Sequence, residues 1–289
     1  MIKTGEASID TRIQVTLTVA EGKRVIAAGI ASLPEVKNAL QNGKVLLKGG
    51  TTVSAIAEIL AGQPLKISGR FSPRGAKGTR HTEITGHSIL LDHGQPEVVD
   101  KTLKEVVDSF GREDIILIGA NAIDTDGNAA MCIGASLGGI PGEALSGMLG
   151  HGAKVIIACG LEKLIPGKIR EAIIQAGRNT VDEAHGMAFG LVPIFGELIT
   201  EREALMTLGK VSCTVIAKGG IDGAEGSTTF LIAGDSSEVQ KVATHINQVK
   251  GCQESGIPES LQECEPGGRS CGTHKSCLYR RHRSGFTTI

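Results

Sequence analysis

The sequence is poor in aromatic residues, which make up only 2% of it, with one tyrosine, six phenylalanines and no tryptophan. Proteins that bind single-stranded nucleic acid stack the bases on such side chains, so this class is disfavoured. Positive charge is not in excess either, because 30 Lys and Arg residues stand against 31 Asp and Glu residues. A protein that coats a duplex carries a strong basic excess. The composition therefore argues against nucleic acid as a partner.

Long apolar runs are also missing from the sequence. No segment reaches the roughly 18 consecutive apolar residues that a membrane-spanning helix requires. The N-terminal stretch MIKTGEASIDTRIQV lacks the apolar core of a signal peptide. We therefore expect a cytoplasmic protein that has no membrane partner.

Glycine, in contrast, is abundant at 40 of 289 residues, about twice its average usage. Many of these glycines separate short apolar segments from amphipathic ones. KVLL, PLKIS (64–68), HSILLD, DIILIG (114–119) and KVIIACG (154–160) are typical of strands, and helical periodicity lies between most of them. This alternation predicts an α/β domain over residues 1–189, with three layers around a mostly parallel sheet.

The pattern changes near residue 190. VSCTVIAKG and STTFLIAGD predict two strands joined by a glycine-rich turn, and a helix follows that begins at Ser236 or Ser237 and extends to Val249. Residues 190–250 are therefore predicted to form a small α+β lobe. Periodicity is lost beyond that point, and residues 251–289 are predicted to be a cysteine-rich extension.

Two glycines and two threonines lie where the first predicted strand meets a helix. Gly49, Gly50, Thr51 and Thr52 directly follow KVLLK. The first N–H groups of a helix lack helical partners and carry partial positive charge, so an anion binds there readily. Glycine lets the backbone approach the anion, and threonine offers a hydroxyl. The same four residues would also suit a tight turn with a helix cap, and the sequence alone leaves both interpretations open.

Further polar loops follow other predicted strands. In an open α/β sheet, ligands bind beyond the carboxyl ends of the strands. The loops at these ends contribute the other candidate ligand-binding residues, which are Arg70, Arg74, Asn121, Asn128, Gly138 and Gly139. The two arginines suit phosphate or carboxylate. A small anionic ligand is the partner that this set predicts, although an ordinary solvated basic loop would contain the same arginines.

Two of these motifs resemble a known superfamily. VLLKGGTTVSAIAEIL resembles the phosphate-loop region of ribose-5-phosphate isomerases and of sugar-phosphate-sensing repressor domains. IGANAIDTDGNAAMCIGA resembles the corresponding stretch of methylthioribose-phosphate isomerases and their initiation-factor relatives. The chain thus resembles the ribose-5-phosphate isomerase/CoA-transferase-like superfamily over roughly residues 44 to 165. The resemblance implies an α/β fold with a small lid lobe and a phosphorylated ligand.

The same resemblance implies catalytic positions, and the chain departs from them. Asp124 matches the second acidic position of the ribose-5-phosphate isomerases, and Glu143 is the counterpart of their base. The first acidic position holds Asn121, whose amide cannot act as a general base. The lysine that precedes the glycine-rich loop in the family is replaced by Cys132. The isomerase set is therefore incomplete.

Four cysteines crowd the C-terminal extension, at Cys252, Cys264, Cys271 and Cys277. In a cytoplasmic protein such density favours metal over disulfides. Four thiolates suit zinc or an iron–sulfur cluster, with His274 as a possible substitute ligand. No C-x-x-C pair occurs among them, and a disordered tail with reduced thiols is the alternative.

The sequence leaves four functions open. The first is an enzyme acting on a phosphorylated metabolite, with Asp124 or Glu143 as proton acceptor. The second is a sensor of the same fold without catalysis, which Asn121 favours. The third is an acyl-CoA transferase or hydrolase with Glu143 as nucleophile, which is disfavoured because no Glu lies in the small-residue motif that those transferases use. The fourth is a redox or metal-cluster protein acting through its C-terminal cysteines. We expect a homo-oligomer in each case.

Overall fold

A computed structural model describes residues 11–79, 83–264 and 269–279. The strands in this part of the chain are β1 (Thr11–Leu17), β2 (Lys44–Lys48), β3 (Gly69–Ser72), β4 (Gly75–Gly78), β5 (Ser88–Asp92), β6 (Gln95–Val98), β7 (Ile115–Gly119), β8 (Ala122–Ile123), β9 (Ala129–Ile133), β10 (Lys154–Ala158), β11 (Gly190–Ile194), β12 (Glu197–Ile199), β13 (Val211–Lys218) and β14 (Thr228–Gly234). The α-helices are α1 (Val19–Ser32), α2 (Pro34–Asn42), α3 (Thr51–Leu60), α4 (Leu103–Asp108), α5 (Gly139–Glu143), α6 (Leu145–Gly150), α7 (Ile169–Gln175), α8 (Glu201–Leu208) and α9 (Ser236–Val249). None of the described helices is both long and apolar enough to cross a membrane.

A six-stranded mixed sheet lies at the centre of the fold, in the order β12-β10-β7-β2-β5-β6. The first four of these strands are parallel to one another, and β5 and β6 are antiparallel to their neighbours. The α/β fold class predicted from the sequence is therefore confirmed. The parallel strands are short apolar runs because both of their faces are buried.

Alternate residues of the parallel strands belong to two separate hydrophobic clusters. Val45 and Leu47 of β2 pack in one cluster together with residues of α1 and α3. Leu46, between them, packs in the other cluster with residues of α4 and α6. This division follows from the two-residue period of a strand, which points successive side chains to opposite faces.

The hairpin and helix predicted beyond residue 210 are present, but the sheet that they belong to has a third strand. β1 pairs antiparallel with β14, which also pairs with β13. The preceding strands β11 and β12 pair with β9 and β10, so residues 190–199 join sheets formed by earlier parts of the chain. The N-cap residue of helix α9 is Asp235, which directly precedes Ser236, the first of the two predicted positions.

The segment PLKIS (64–68) is extended, but it is not a strand, which corrects the sequence prediction. Its backbone donors go to separate partners instead of one ladder: Leu65 N–H to Ser54 Oγ at 2.9 Å and Ile67 N–H to Ser260 Oγ at 3.0 Å. Leu65 and Ile67 are buried, which explains their apolar character. The segment lies between the body of the fold and the C-terminal extension.

Candidate functional site

A cavity of about 480 Å³ opens at the carboxyl ends of β2 and β7. It is lined by the β2–α3 junction, the β7–β8 turn, the β3–β4 hairpin, the loop before α5, and Thr273 and His274 of the C-terminal extension. Because β2 and β7 are adjacent and parallel, this is the edge of the sheet at which α/β proteins bind ligands.

The β2–α3 junction places bare backbone at the cavity wall. Gly49 and Gly50 line the cavity with φ angles of +23° and +115°, in the region that favours glycine. Gly50 is the N-cap of α3, and no side chain caps this helix. The first N–H groups of α3 therefore have no helical acceptor, and they directly follow Gly50, which lines the cavity.

Lys48, the last residue of β2, lines the same cavity and is only 5% exposed. Its Nζ lies 2.9 Å from the thioether sulfur of Met131, which is a weak acceptor. Within the described residues no carboxylate forms an ion pair with it. Burial lowers the pKa of Lys48 to about 8, so the cavity holds a buried ammonium group that forms no ion pair with any described carboxylate.

His87 packs over Gly49 so closely that a Cβ added to Gly49 would lie 1.9 Å from its Cε1 atom. Burial, and to a smaller extent the charge of Lys48, lowers the pKa of His87 to about 4, so the ring is neutral. Its Nδ1 lies 3.2 Å from the carbonyl oxygen of Lys66, which makes Nδ1 the protonated nitrogen. The carboxylate of Asp100 holds this turn by accepting the N–H groups of residues 86, 87 and 88.

Asn121 and Cys132 form another part of the wall. The side-chain oxygen of Asn121 accepts the N–H of Cys132 at 2.8 Å. Burial raises the pKa of the Cys132 thiol to about 12, so the sulfur stays protonated near neutral pH. The thiol can therefore donate a hydrogen bond, but it does not supply a thiolate nucleophile.

No family model, no curated protein and no solved structure matches this chain. The geometry of the cavity therefore carries the functional assignment. Lys48 and His87, which dominate this geometry, were not among the sequence-predicted site residues. The signal for Lys48 was its position, since a charged residue ends an otherwise apolar strand directly before two glycines.

The arginines predicted to bind ligand are engaged by the C-terminal extension. The Arg70 guanidinium lines the cavity and donates to the carbonyl oxygens of Ser260 and Gln262. Arg74 donates to the carbonyl oxygen of Cys264 at 3.1 Å and lies outside the cavity. Residues 260–264 thus pass over the β3–β4 hairpin and cover its positive charges.

The remaining glycines and threonines are divided between the cavity and its surroundings. Gly138, directly before α5, and Gly139, the first residue of α5, line the cavity with φ angles of +77° and +66°. Thr51 is half-buried and Thr52 is buried in the first turn of α3. Neither threonine is among the residues that line the cavity.

The two candidate catalytic carboxylates lie outside the cavity. Asp124 is buried and accepts the N–H groups of Asp126, Asn128 and Ile169, each at 3.0 Å. Although burial opposes ionisation, these donors together lower the pKa of Asp124. The Asn128 side chain also donates to this carboxylate. Asp124 thus forms a turn and caps α7, whereas Glu143 pairs with Lys104 of α4.

We expect Asp124→Ala to lower the free energy of unfolding by about 2 kcal/mol, because it leaves several backbone donors without an acceptor. Phosphate affinity should be unchanged, since Asp124 lies outside the cavity. Urea unfolding and calorimetry measure the two quantities. Asp126→Ala, on the exposed side of the same turn, is the control and should change the unfolding free energy by less than about 0.5 kcal/mol. Loss of phosphate binding in folded Asp124→Ala would contradict this interpretation.

The four C-terminal cysteines lie at several places on the body of the fold. Cys252 contacts Arg24 of α1, and Cys277 forms a backbone bridge with Ala184. Cys264 and Cys271 lie close enough for one to influence the ionisation of the other. In the described ranges no group of three or more His, Cys, Asp or Glu side chains is placed to hold a metal ion. The zinc or iron–sulfur centre stays a prediction that metal analysis can test.

A second group of ionisable side chains lies at the carboxyl ends of β10 and β12, and none of its members was among the sequence-predicted site residues. Both carboxylate oxygens of Glu162 are buried and accept no hydrogen bond from the described residues. Lys23 and Lys163 stand 3.8 and 3.9 Å from Glu162 Oε1. Glu201, the first residue of α8, accepts the N–H of Leu161 at 2.8 Å. Burial, reinforced by the charge of Glu162, raises the pKa of Glu201 to about 7.

Proposed function

We propose that the protein binds a small anionic metabolite, of the phosphorylated kind, in the cavity at the β2–α3 junction. The observation that carries the proposal is the buried ammonium group of Lys48, which faces the same cavity as the uncapped start of α3. Each feature favours an anion for a separate reason. The ammonium supplies a full positive charge, and the helix supplies N–H donors and the positive end of its dipole.

Burial makes the absence of a counter-charge at Lys48 costly. A charged group removed from water is destabilising unless it is paired, and the lowered pKa of Lys48 expresses that cost. A bound anion would offset it, because a hydrogen bond to a charged group contributes about 1.5–3 kcal/mol. The remaining charge supports the same conclusion. Lys66 and Arg70 also line the cavity, whereas Asp100 is the one carboxylate among its described lining residues.

We further propose that this is a binding site of the ribose-5-phosphate isomerase/CoA-transferase-like superfamily with an incomplete isomerase set. The two motifs that carry the resemblance form the β2–α3 junction and the β7–β8 turn, and both line the cavity. The acidic groups that isomerisation would need are not supplied there. Asn121 holds the backbone of Cys132, and Asp124 holds a turn and a helix cap.

Calorimetric titration with ribose 5-phosphate and with inorganic phosphate tests the anion site. We expect Lys48→Met to weaken binding of both probes by about tenfold or more, since it removes the buried charge. Lys44→Met is the matched control. Lys44 lies at the other end of β2, where its ammonium bonds Ser109 Oγ, and its loss should leave affinity unchanged. Equal affinities in wild type and folded Lys48→Met, or no binding by wild type, would contradict the proposal.

A further inference from the structure

We infer that Lys48 forms an imine with its ligand, and that the ligand therefore carries an aldehyde or ketone in addition to its anionic group. This inference rests on the proposed anion site and specifies its substrate class. The chemistry follows from the surroundings of the amine and from what shares the cavity with it.

The surroundings of Lys48 suit a nucleophilic amine. An amine attacks a carbonyl only in its neutral form, and lysines that do so are desolvated or placed beside another cation. Lys48 is 95% buried, and its described polar partner is a thioether sulfur. A carboxylate partner, which would hold the proton on the amine, is missing from the described residues. The neutral amine is thus accessible near pH 8.

A site that only bound an anion through its positive charge would be expected to use arginine instead of lysine. Arginine stays charged at all physiological pH values and binds phosphate with two parallel donors. The cavity does have an arginine, but the Arg70 guanidinium donates to two carbonyl oxygens of the C-terminal extension. The most deeply buried cation of the cavity is instead Lys48, and a lysine side chain readily loses its proton on burial.

The order of residues at the β2–α3 junction places the Lys48 amine next to the anion site at the start of α3. Lys48 is followed directly by Gly49 and Gly50, which lead into α3. An anionic group on the first N–H groups of α3 would hold a short ligand with its other end near the Lys48 side chain. Asn121 and Cys132 line the same cavity. The Cys132 thiol keeps its proton and offers a hydrogen-bond donor to a carbonyl oxygen.

The reaction balances without an oxidant or a reductant. The lone pair of Lys48 Nζ attacks the carbonyl carbon, and the π electrons of the C=O bond move to oxygen. A proton passes from nitrogen to that oxygen and gives a carbinolamine. The C–O bond then breaks, the second N–H hydrogen leaves with the oxygen, and one water is released as the C=N bond forms.

Reductive trapping tests the inference with glycolaldehyde phosphate, the smallest phosphorylated aldehyde, and cyanoborohydride, followed by peptide mass mapping. We expect one adduct per chain, on Lys48, formed about tenfold faster than on exposed lysines because the anion site orients the probe. Excess inorganic phosphate should suppress this adduct and spare the labelling of exposed lysines. The rate should rise between pH 7 and pH 9 as the amine loses its proton, and glycolaldehyde without phosphate should show no preference for Lys48.

Lys48→Arg separates the inference from the proposed function, since it keeps the positive charge but cannot form an imine. We expect this variant to lose the adduct and to bind phosphate more tightly than Lys48→Met does, while phosphate binding by wild type tests the proposed function. If wild type binds phosphate but its labelling is spread over exposed lysines, Lys48 is a counter-charge only and the inference is wrong. If wild type does not bind phosphate at all, the proposed function itself fails. Because the phosphate competition and the pH dependence use wild-type protein, the test does not depend on the folding of a variant.

Discussion

Gly49→Ala is expected to destabilise the fold by about 4 kcal/mol. Part of this cost is conformational, because the backbone at Gly49 has φ of +23°, and side chains other than glycine lose about 1–2 kcal/mol in the left-handed region. The rest is overpacking against the His87 ring, 1.9 Å from the new Cβ, for which about 1–3 kcal/mol is typical. The ring cannot turn away freely, since Nδ1 bonds the Lys66 carbonyl oxygen. Chemical denaturation measures the loss.

Two further variants separate these contributions. Gly62 also has a left-handed φ, of +68°, but a Cβ there would meet nothing within 4 Å, so Gly62→Ala should show the conformational cost alone. His87→Ala removes the ring, and the double variant with Gly49→Ala should recover the overpacking part in a double-mutant cycle. A coupling energy near zero would show that the close approach of His87 does not matter for stability.

Glu201→Gln is expected to make the protein more stable than wild type by about 3 kcal/mol at pH 8. The folded protein holds a proton on Glu201 up to about pH 7, whereas an unfolded glutamic acid loses it near its ordinary pKa of 4.5. Between these values the folded state binds more protons than the unfolded state, so wild-type stability falls as the pH rises. Glutamine resembles the protonated acid and can still accept the Leu161 N–H. The stability of the Glu201→Gln variant should therefore not fall over this pH range.

Thermal or urea unfolding of both proteins from pH 4.5 to pH 8 provides the measurement. The difference between the two curves should be smallest at the acidic end and grow as the pH rises through 7. Glu162→Gln removes the neighbouring charge, which contributes to the raised pKa of Glu201, so its own stability should fall less steeply than that of wild type. Parallel curves for wild type and Glu201→Gln would show that Glu201 is ionised in the folded protein throughout.

The parts of the fold that the sequence predicts are those whose apolar pattern is local. The runs KVLL, DIILIG and KVIIACG became the parallel strands β2, β7 and β10, because burial on both faces demands continuous apolar residues. PLKIS is also rich in apolar residues, but it is buried between the C-terminal extension and the body of the fold and does not pair with another strand. Strand β1 was missed although Ile13, Val15 and Leu17 alternate with more exposed residues, which is the local pattern of a half-buried strand. Only its partner, β14, lies far along the sequence.

The site residues show the same distinction between features that follow from local sequence and features that depend on distant contacts. The loops at strand ends identified Gly49, Gly50, Asn121, Gly138 and Gly139, all of which line the cavity. The first three follow the parallel strands β2 and β7, as the rule for parallel sheets predicts, whereas the last two follow β9, which is antiparallel to its neighbours. Spacing could not reveal which charged groups have partners. The partners of Arg70 and one of the donors to Asp124, the Ile169 N–H, come from segments far along the chain, and the ring over Gly49 comes from residue 87. Lys48 is distinguished by its burial without an ion pair among the described residues, and this is a property of the folded chain alone.

The pairing of β1 with β14 has a consequence for the order of folding. Thr11 lies opposite Gly234, and Leu17 opposite Thr228, so this sheet cannot close until most of the chain has left the ribosome. Closing so long a loop carries an entropic cost before any contact compensates for it, which slows folding. During synthesis the edge of β1 stays unpaired until β14 has been made, whereas β2 and β7 can pair earlier. The β1–β14 pairing therefore forms later than the β2–β7 pairing, and the open edge of β1 is exposed to aggregation until then.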